Sequence, residues 1–140
     1  MQLKMSLDEL NVFLVEHFPQ VAGDFEVLDV SPMRITTRAL VDDKHLRPGN
    51  TVSGPTMFAL ADVSVYLGIL AMIGPKALAV TTNCAIDFMR KPVANANLRA
   101  ETRILKLGKV LAVGDTLIYS EGQDAPVARA GLTYSIPPEQ

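Results

Sequence analysis

The chain has 140 residues, with 13 basic and 15 acidic side chains and a net charge of −2. This length suits a single domain spanning 1–140, and the near balance of charge excludes the general basic surface of a nucleic-acid-binding protein. Hydrophobic residues make up 49% of the chain, which excludes a disordered protein. One cysteine and two histidines offer neither an internal disulfide nor an ordinary zinc cluster, and the N-terminus lacks the pattern of a signal peptide. We therefore expect a cytoplasmic protein without a bound metal.

The N-terminal part of the chain predicts one helix followed by two strands. Apolar residues recur at helical spacing within residues 1–20, and Ser6 with Glu9 matches a capping box at the start of this helix. The segments 25–30 and 33–41 predict two strands joined by a turn, and the second of them alternates between apolar and polar residues.

The central segment 56–73 is almost long enough and apolar enough to span a bilayer. Asp62 lies inside it, and a carboxylate at the centre of a membrane helix costs about 2.5–3.5 kcal/mol. The segment therefore predicts a buried helix of a globular fold over 55–73, with Ser53 as the residue that caps its start. Residues 42–52, which precede it, predict a loop because they contain several turn-forming residues.

The C-terminal half predicts long strands separated by turns. Alternation along the first strand places Thr81 on its polar face and Cys84 on its apolar face, so Cys84 is expected in the core. A helix, two strands, a long buried helix and a strand meander together predict an α+β fold, in which an antiparallel sheet carries a helix on one face. The four predicted late strands are 78–89, 98–107, 110–120 and 127–136.

Asp62 is the sharpest signal for chemistry. Its helical neighbours are apolar, and an isolated buried carboxylate is costly unless it is paired or hydrogen-bonded. One interpretation is a general base. The alternative is a structural aspartate that hydroxyl groups satisfy, or one that faces solvent.

The loop before the central helix is the second signal. Residues 50–56 lead into a helix N-terminus, where free N–H groups and the helix dipole stabilise a developing oxyanion. Gly54 would let a reacting carbonyl approach the backbone closely. The alternative is that the same residues form only a turn and a cap.

Basic residues recur on the late strands and their turns. They would suit the phosphates of a nucleotide-bearing substrate, although solvated strand faces look the same. His17 and His45 are both expected at the surface. The basic residues are Arg90, Lys91, Arg99, Arg103, Lys106 and Lys109.

Taken together, these segments resemble the hotdog-fold acyl-CoA thioesterases, and within them the phenylacetate-degradation (PaaI-like) and hydroxybenzoyl-CoA thioesterase type. The likeness covers roughly residues 25–136. It rests on Leu-Ala-Asp at 60–62 of the central helix, on the stretch 86–92 of the next strand, and on the hairpin through Gly108 and Lys109. The resemblance implies a hotdog fold, an antiparallel sheet wrapped around a long central helix.

The resemblance also implies roles for individual residues. Asp62 would activate water or attack the thioester carbonyl, and the N–H of Gly54 would polarise that carbonyl. Thr81 would place the water, with Thr82 as the alternative. Phe58, Val65, Tyr66 and Ile69 would line the acyl pocket. The implied substrate-binding residues are Asn50, Ser53, Thr56, Phe58, Tyr66, Arg90, Lys91, Gly108 and Lys109.

The sequence departs from the family pattern beside the implied oxyanion site. Many relatives have His-Gly-Gly where this chain has Ser53-Gly54-Pro55, and Arg47 stands where an asparagine or glutamine often helps the carbonyl. Pro55 has no N–H, so this role would fall to Gly54 or Thr56. A non-catalytic acyl-CoA-binding protein is therefore one alternative.

A hotdog enoyl-CoA hydratase or dehydratase is the other alternative. These enzymes usually pair a histidine with their acid, and neither histidine is expected near the unit formed by Gly54 and Asp62. The resemblance further implies a homodimer or homotetramer with the site at the subunit interface, and no cofactor apart from the coenzyme A of the substrate. The mean hydropathy of +0.22 agrees with an apolar subunit interface.

Overall fold

A computed structural model describes residues 2–138. Within these residues the chain forms two helices, eight strands and a single 3₁₀ turn over Asp43–His45. The elements in chain order are α1 (Leu7–His17), β1 (Phe25–Ser31), β2 (Arg34–Ala39), β3 (Leu46–Arg47), β4 (Thr51–Val52), α2 (Gly54–Ile73), β5 (Val80–Phe88), β6 (Leu98–Leu107), β7 (Leu111–Ser120) and β8 (Ala128–Ser135).

Six strands form one antiparallel sheet in the order β1-β2-β6-β7-β8-β5, and β3 pairs with β4 in a separate small hairpin. The helix α2 packs across one face of the large sheet, and its buried side chains form the centre of the core. The two layers touch closely at Gly114 of β7, where an added Cβ would lie 2.8 Å from a methyl carbon of Val65. The prediction of an α+β fold with an antiparallel sheet and a long central helix is confirmed.

The close approach at Gly114 gives a testable prediction about stability. Gly114→Ala forces α2 and β7 apart, and overpacking of this kind costs about 1–3 kcal/mol of unfolding free energy. Gly131 of β8 is the matched control, because an added Cβ there meets nothing within 4 Å. Urea unfolding of both variants measures the difference, and equal stability of the two would contradict this packing.

The helix α2 begins and ends where its capping residues place it. Ser53 is extended and its hydroxyl accepts the N–H of Thr56, while Gly74 closes the other end with a φ of 96°. Within residues 2–138, α2 is the one helix long and apolar enough to cross a membrane, with a mean hydropathy of 1.9, but 78% of that stretch is buried in the fold.

The two edges of the large sheet differ. At β1 the side chain of Asn11 from α1 imitates a neighbouring strand, because it accepts the N–H of Val27 at 2.8 Å and donates to the carbonyl of the same residue at 3.2 Å. At β5 no described strand covers the outer side, and Val80 and Phe88 are more than half exposed. One edge is therefore closed and the other is open.

The segment 42–52 is more ordered than a loop, because it contains the 3₁₀ turn and the hairpin of β3 and β4. The prediction that His45 is a surface residue is wrong, since His45 is buried. Its Nδ1 accepts the N–H of Asp42 at 2.8 Å, and its Nε2 lies 3.3 Å from the carboxylate of Asp24. Burial opposes ionisation of Asp24, but Lys44 and His45 outweigh it and lower the pKa of that carboxyl.

The predicted faces of β5 are also wrong in part. Thr81 pairs with Tyr134 of β8 and Asn83 pairs with Thr133, so Thr82 is an extra residue in a β-bulge. The bulge shifts the alternation by one residue. As a result Thr81 and Cys84 both face α2, whereas the sequence pattern puts them on opposite faces.

Candidate active site

Asp62 lies in the middle of α2 and meets side chains from two neighbouring strands. The hydroxyl of Thr81 on β5 donates to Asp62 Oδ1 at 2.5 Å. The phenol of Tyr134 on β8 donates to the same oxygen at 2.7 Å and lies 2.9 Å from the main-chain carbonyl oxygen of Asp62. Asp62 is thus half-buried, and two hydroxyl groups bond to Oδ1 of its carboxylate while it still borders an open cleft.

The cleft beside Asp62 has a volume of about 540 Å³. Its walls come from the end of α1 and the residues just after it, the middle of α2, the start of β5 with the loop before it, and Tyr134 of β8. His17 is exposed, as predicted, but it lines this cleft. The expectation that neither histidine lies near the unit formed by Gly54 and Asp62 is therefore wrong. His17 borders the Asp62 cleft because the end of α1 returns over the middle of α2, and the main-chain carbonyl of His45 accepts the N–H of Ser53 at 2.8 Å.

Aromatic rings form the wall between α1 and Asp62. The ring of Tyr66 lies 6.2 Å from that of Phe18, nearly edge-on, and 6.1 Å from that of Tyr134. The phenol of Tyr66 donates to the carbonyl of Ala77 at 2.9 Å, which fixes the ring. Burial raises the pKa of both tyrosines. Tyr66, predicted to bind substrate, therefore presents a fixed ring to the cleft.

Gly54 opens into a second cleft, with a volume of about 580 Å³, at the N-terminus of α2. Phe88 packs against it, since an added Cβ on Gly54 would lie 3.2 Å from the ring. Arg47, Arg90 and Lys91 also line this cleft, which gives it a basic border. The guanidinium of Arg90 donates to a main-chain carbonyl at 2.8 Å.

Among the described residues, one backbone N–H in the first turn of α2 has no partner. Pro55 has none, the N–H of Thr56 donates to Ser53 Oγ at 3.4 Å, and the N–H of Met57 donates to the carbonyl of Ser53 at 3.2 Å. The N–H of Gly54 has no partner among residues 2–138. The sequence offers the N–H of Gly54 or of Thr56 as the oxyanion donor, and the structure leaves the N–H of Gly54 available for this role. The hydroxyls of Ser53 and Thr56 serve the helix cap.

Several residues predicted to bind substrate lie outside both clefts. Asn50 adopts a left-handed conformation with a φ of 62°, and its carbonyl accepts the N–H of Asn95 at 3.2 Å. Phe58 is partly exposed but borders neither cleft, and Val65 and Ile69 are core residues. Thr56 also lines neither cleft, and Gly108 and Lys109 line a third cavity of about 750 Å³ near the end of β8.

Tyr134 is the residue of this site that the sequence does not reveal. It belongs to the last strand, and Thr81 belongs to a strand that lies 53 positions earlier in the sequence. Only the pairing of β5 with β8 brings their side chains together. Within the part of the chain that the structure describes, no three His, Cys, Asp or Glu side chains are arranged to hold a metal ion.

Comparison with known proteins assigns the chain to a family. The sequence profile of the thioesterase superfamily matches residues 49–127. The chain belongs to the thioesterase superfamily. This confirms the resemblance to hotdog thioesterases. A comparison with curated protein sequences gave no match.

Solved structures agree with the family and the fold. A crystal structure of a candidate thioesterase from Silicibacter sp. TM1040 is 56% identical, with a TM-score of 0.93, and covers 99% of this chain and 96% of its own. The phenylacetic acid degradation protein PaaI from Thermus thermophilus is 27% identical, with a TM-score of 0.72, over 85% of this chain and 99% of its own. Thioesterase HI1161 from Haemophilus influenzae shares the fold at 20% identity, with a TM-score of 0.84, over 99% of this chain and 96% of its own.

Proposed function

We propose that this protein hydrolyses acyl-CoA thioesters to a free acid and coenzyme A. Membership of the thioesterase superfamily supports thioester hydrolysis in general. The observation that carries the proposal is the carboxylate of Asp62, which two hydroxyl groups hold at the border of an open cleft. The free N–H of Gly54 at a helix N-terminus supplies the matching donor for an oxyanion.

One chain does not bring these two groups to the same thioester. Asp62 follows Gly54 by eight positions in α2, a rise of about 12 Å along the helix. The two residues also border different clefts. An oxyanion donor must lie about 3 Å from the carbonyl oxygen while the base reaches water beside the same carbon. The complete site therefore requires Asp62 of one subunit and Gly54 of another.

The open edge at β5 explains how two copies would meet. Thr81 stands at one end of β5 in the Asp62 cleft, and Phe88 stands at the other end in the Gly54 cleft. Two-fold antiparallel pairing of β5 with its copy sets the Thr81 end of one chain beside the Phe88 end of the other. The two half-sites then join across the subunit boundary. This homodimer, or a tetramer built from it, also covers the exposed apolar side chains of the edge.

The chemistry follows from this composite site. The partner subunit's Gly54 donates its N–H to the thioester oxygen as negative charge develops there. Asp62 takes a proton from water that attacks the carbonyl carbon, or attacks the carbon itself. The carbon–sulfur bond then breaks and the coenzyme A thiolate leaves and is protonated. In the nucleophilic route, water then hydrolyses the anhydride between the acyl group and Asp62, which releases the free acid and restores the carboxylate. Intact-mass analysis of enzyme quenched during turnover separates the two routes, because only the nucleophilic route leaves an acyl group on Asp62.

Charged residues support coenzyme A as the thiol. Arg47, Arg90 and Lys91 surround the Gly54 cleft, where they would meet the phosphates of a nucleotide-bearing substrate. Arg47 thus stands as a cation where relatives often have an amide. Contacts of Gly108 and Lys109 with the nucleotide stay a prediction. No cofactor beyond the substrate's own coenzyme A takes part in the proposed reaction, and the proposed location is the cytoplasm.

The test is release of free thiol from a panel of aryl, short-chain and medium-chain acyl-CoA thioesters. We expect turnover of at least one of them, and the panel also identifies the acyl group. Saturable binding without thiol release would favour the non-catalytic binding protein instead. Because His17 borders the cleft, hydration of an enoyl-CoA is measured in parallel, and a clear signal there would favour the hydratase.

A further inference from the structure

The two oxygens of the Asp62 carboxylate have different surroundings. Oδ1 accepts hydrogen bonds from both Thr81 and Tyr134. Oδ2 has no hydrogen-bond partner among residues 2–138. Because a carboxylate carries about two acceptor sites on each oxygen, the two donors occupy one oxygen and leave the other for groups in the cleft.

We propose that Tyr134 is a positioning residue which, together with Thr81, fixes the Asp62 carboxylate so that Oδ2 is the oxygen that reacts. This role rests on the proposed thioester hydrolysis and adds a residue to it. Tyr134 also borders the Asp62 cleft, but its hydroxyl is bonded to Asp62, so in this role it contacts neither the thioester nor the attacking water. It acts through Asp62 alone.

The surroundings of Tyr134 suit this role. Its ring is buried, and it stands directly opposite Thr81 in the ladder of β5 and β8, so both donors come from one pair of hydrogen-bonded strands. The phenol also lies 2.9 Å from the main-chain carbonyl oxygen of Asp62, which ties the side chain to the backbone of α2. Burial, and then the charge of Asp62, raise the pKa of Tyr134. The phenol therefore remains protonated and remains a donor.

The consequence is a carboxylate that does not rotate. A free carboxylate exchanges its two oxygens by rotation of its terminal torsion, and two donors on Oδ1 remove that freedom before substrate arrives. In the general-base route Oδ2 takes the proton of the attacking water while Oδ1 keeps both donors. In the nucleophilic route Oδ2 bonds to the acyl carbon, and Oδ1 becomes the carbonyl oxygen of the resulting anhydride.

Tyr134→Phe tests the role because it keeps the ring and removes the hydroxyl. A hydrogen bond to a charged group is worth enough to lower kcat by about 10- to 100-fold, and we expect KM to change by less than about twofold because no substrate contact is lost. In an Asp62→Asn background the same change is expected to cause no further loss. Tyr119→Phe, on the outer face of β7, is the matched control and is expected to keep kcat.

The outcomes separate this role from the proposed function. If Asp62→Asn loses activity but Tyr134→Phe keeps the wild-type kcat, the role of Tyr134 is overturned alone. An equal loss from Tyr134→Phe in the wild-type and Asp62→Asn backgrounds would overturn it too, because that pattern belongs to a purely structural residue. A wild-type chain that releases no thiol from any acyl-CoA would overturn the proposed function and this role together.

Discussion

Asp62→Asn is expected to remove thioester hydrolysis while leaving the fold intact. The asparagine side chain is the same size, and its oxygen still accepts from Thr81 and Tyr134 where Asp62 Oδ1 does. Its amide group then faces the cleft, and an amide neither accepts a proton from water nor attacks a thioester. Since a positioned general base contributes about 10²- to 10⁴-fold to rate, we expect kcat to fall by that factor.

Two measurements separate a catalytic loss from a folding defect in this variant. The melting temperature of Asp62→Asn is expected to stay close to that of the wild type, because no buried hydroxyl loses its acceptor. Asp29→Asn is the control, since Asp29 is an exposed residue of β1 remote from both clefts. Full activity in Asp62→Asn would contradict the assignment of this carboxylate.

Gly54→Pro is the second large effect that we expect. Gly54 is the first residue of α2, a position where proline is tolerated, and Ser53 before it is already extended, as a residue preceding proline must be. The substitution removes the one N–H of this turn that has no partner within residues 2–138. Loss of an oxyanion donor typically costs about 10²- to 10³-fold in kcat, and acyl-CoA turnover measures it.

Gly54→Ala is the matched control for that variant. It keeps the N–H, and its Cβ would lie 3.2 Å from the ring of Phe88, which must shift by a few tenths of an ångström. Because Phe88 is about half exposed, we expect it to move and most of the activity to remain. Equal losses in the alanine and proline variants would show that space beside Phe88 matters, and the N–H of Gly54 does not.

The sequence predicts the framework because local chemistry determines it. Ser53 and Gly74 limit α2 through capping, and a lone carboxylate in an apolar helix draws attention to Asp62. Alternation and turn residues locate the six strands of the large sheet. All of these signals lie within a few residues of the feature that they predict.

The parts that the sequence does not predict depend on contacts between distant segments. The bulge at Thr82 shifts the alternation of β5, so that Thr81 and Cys84 share a face, and the bulge has no residue such as glycine to mark it. Tyr134 reaches Asp62 only through strand pairing, and His17 reaches the same cleft only because α1 folds back over α2. His45 is buried because Asp24 and Asp42 satisfy its two ring nitrogens.

The proposed site combines Asp62 of one subunit with Gly54 of another. Its most direct test mixes two inactive chains, Asp62→Asn and Gly54→Pro, by co-expression or by joint refolding. Random pairing makes about half of the dimers mixed, and each mixed dimer contains one intact site out of two, so we expect about one quarter of the wild-type activity to return. If both groups of a site came from the same chain, every site would keep one defect. Activity no higher than that of the separate variants would therefore contradict the shared site.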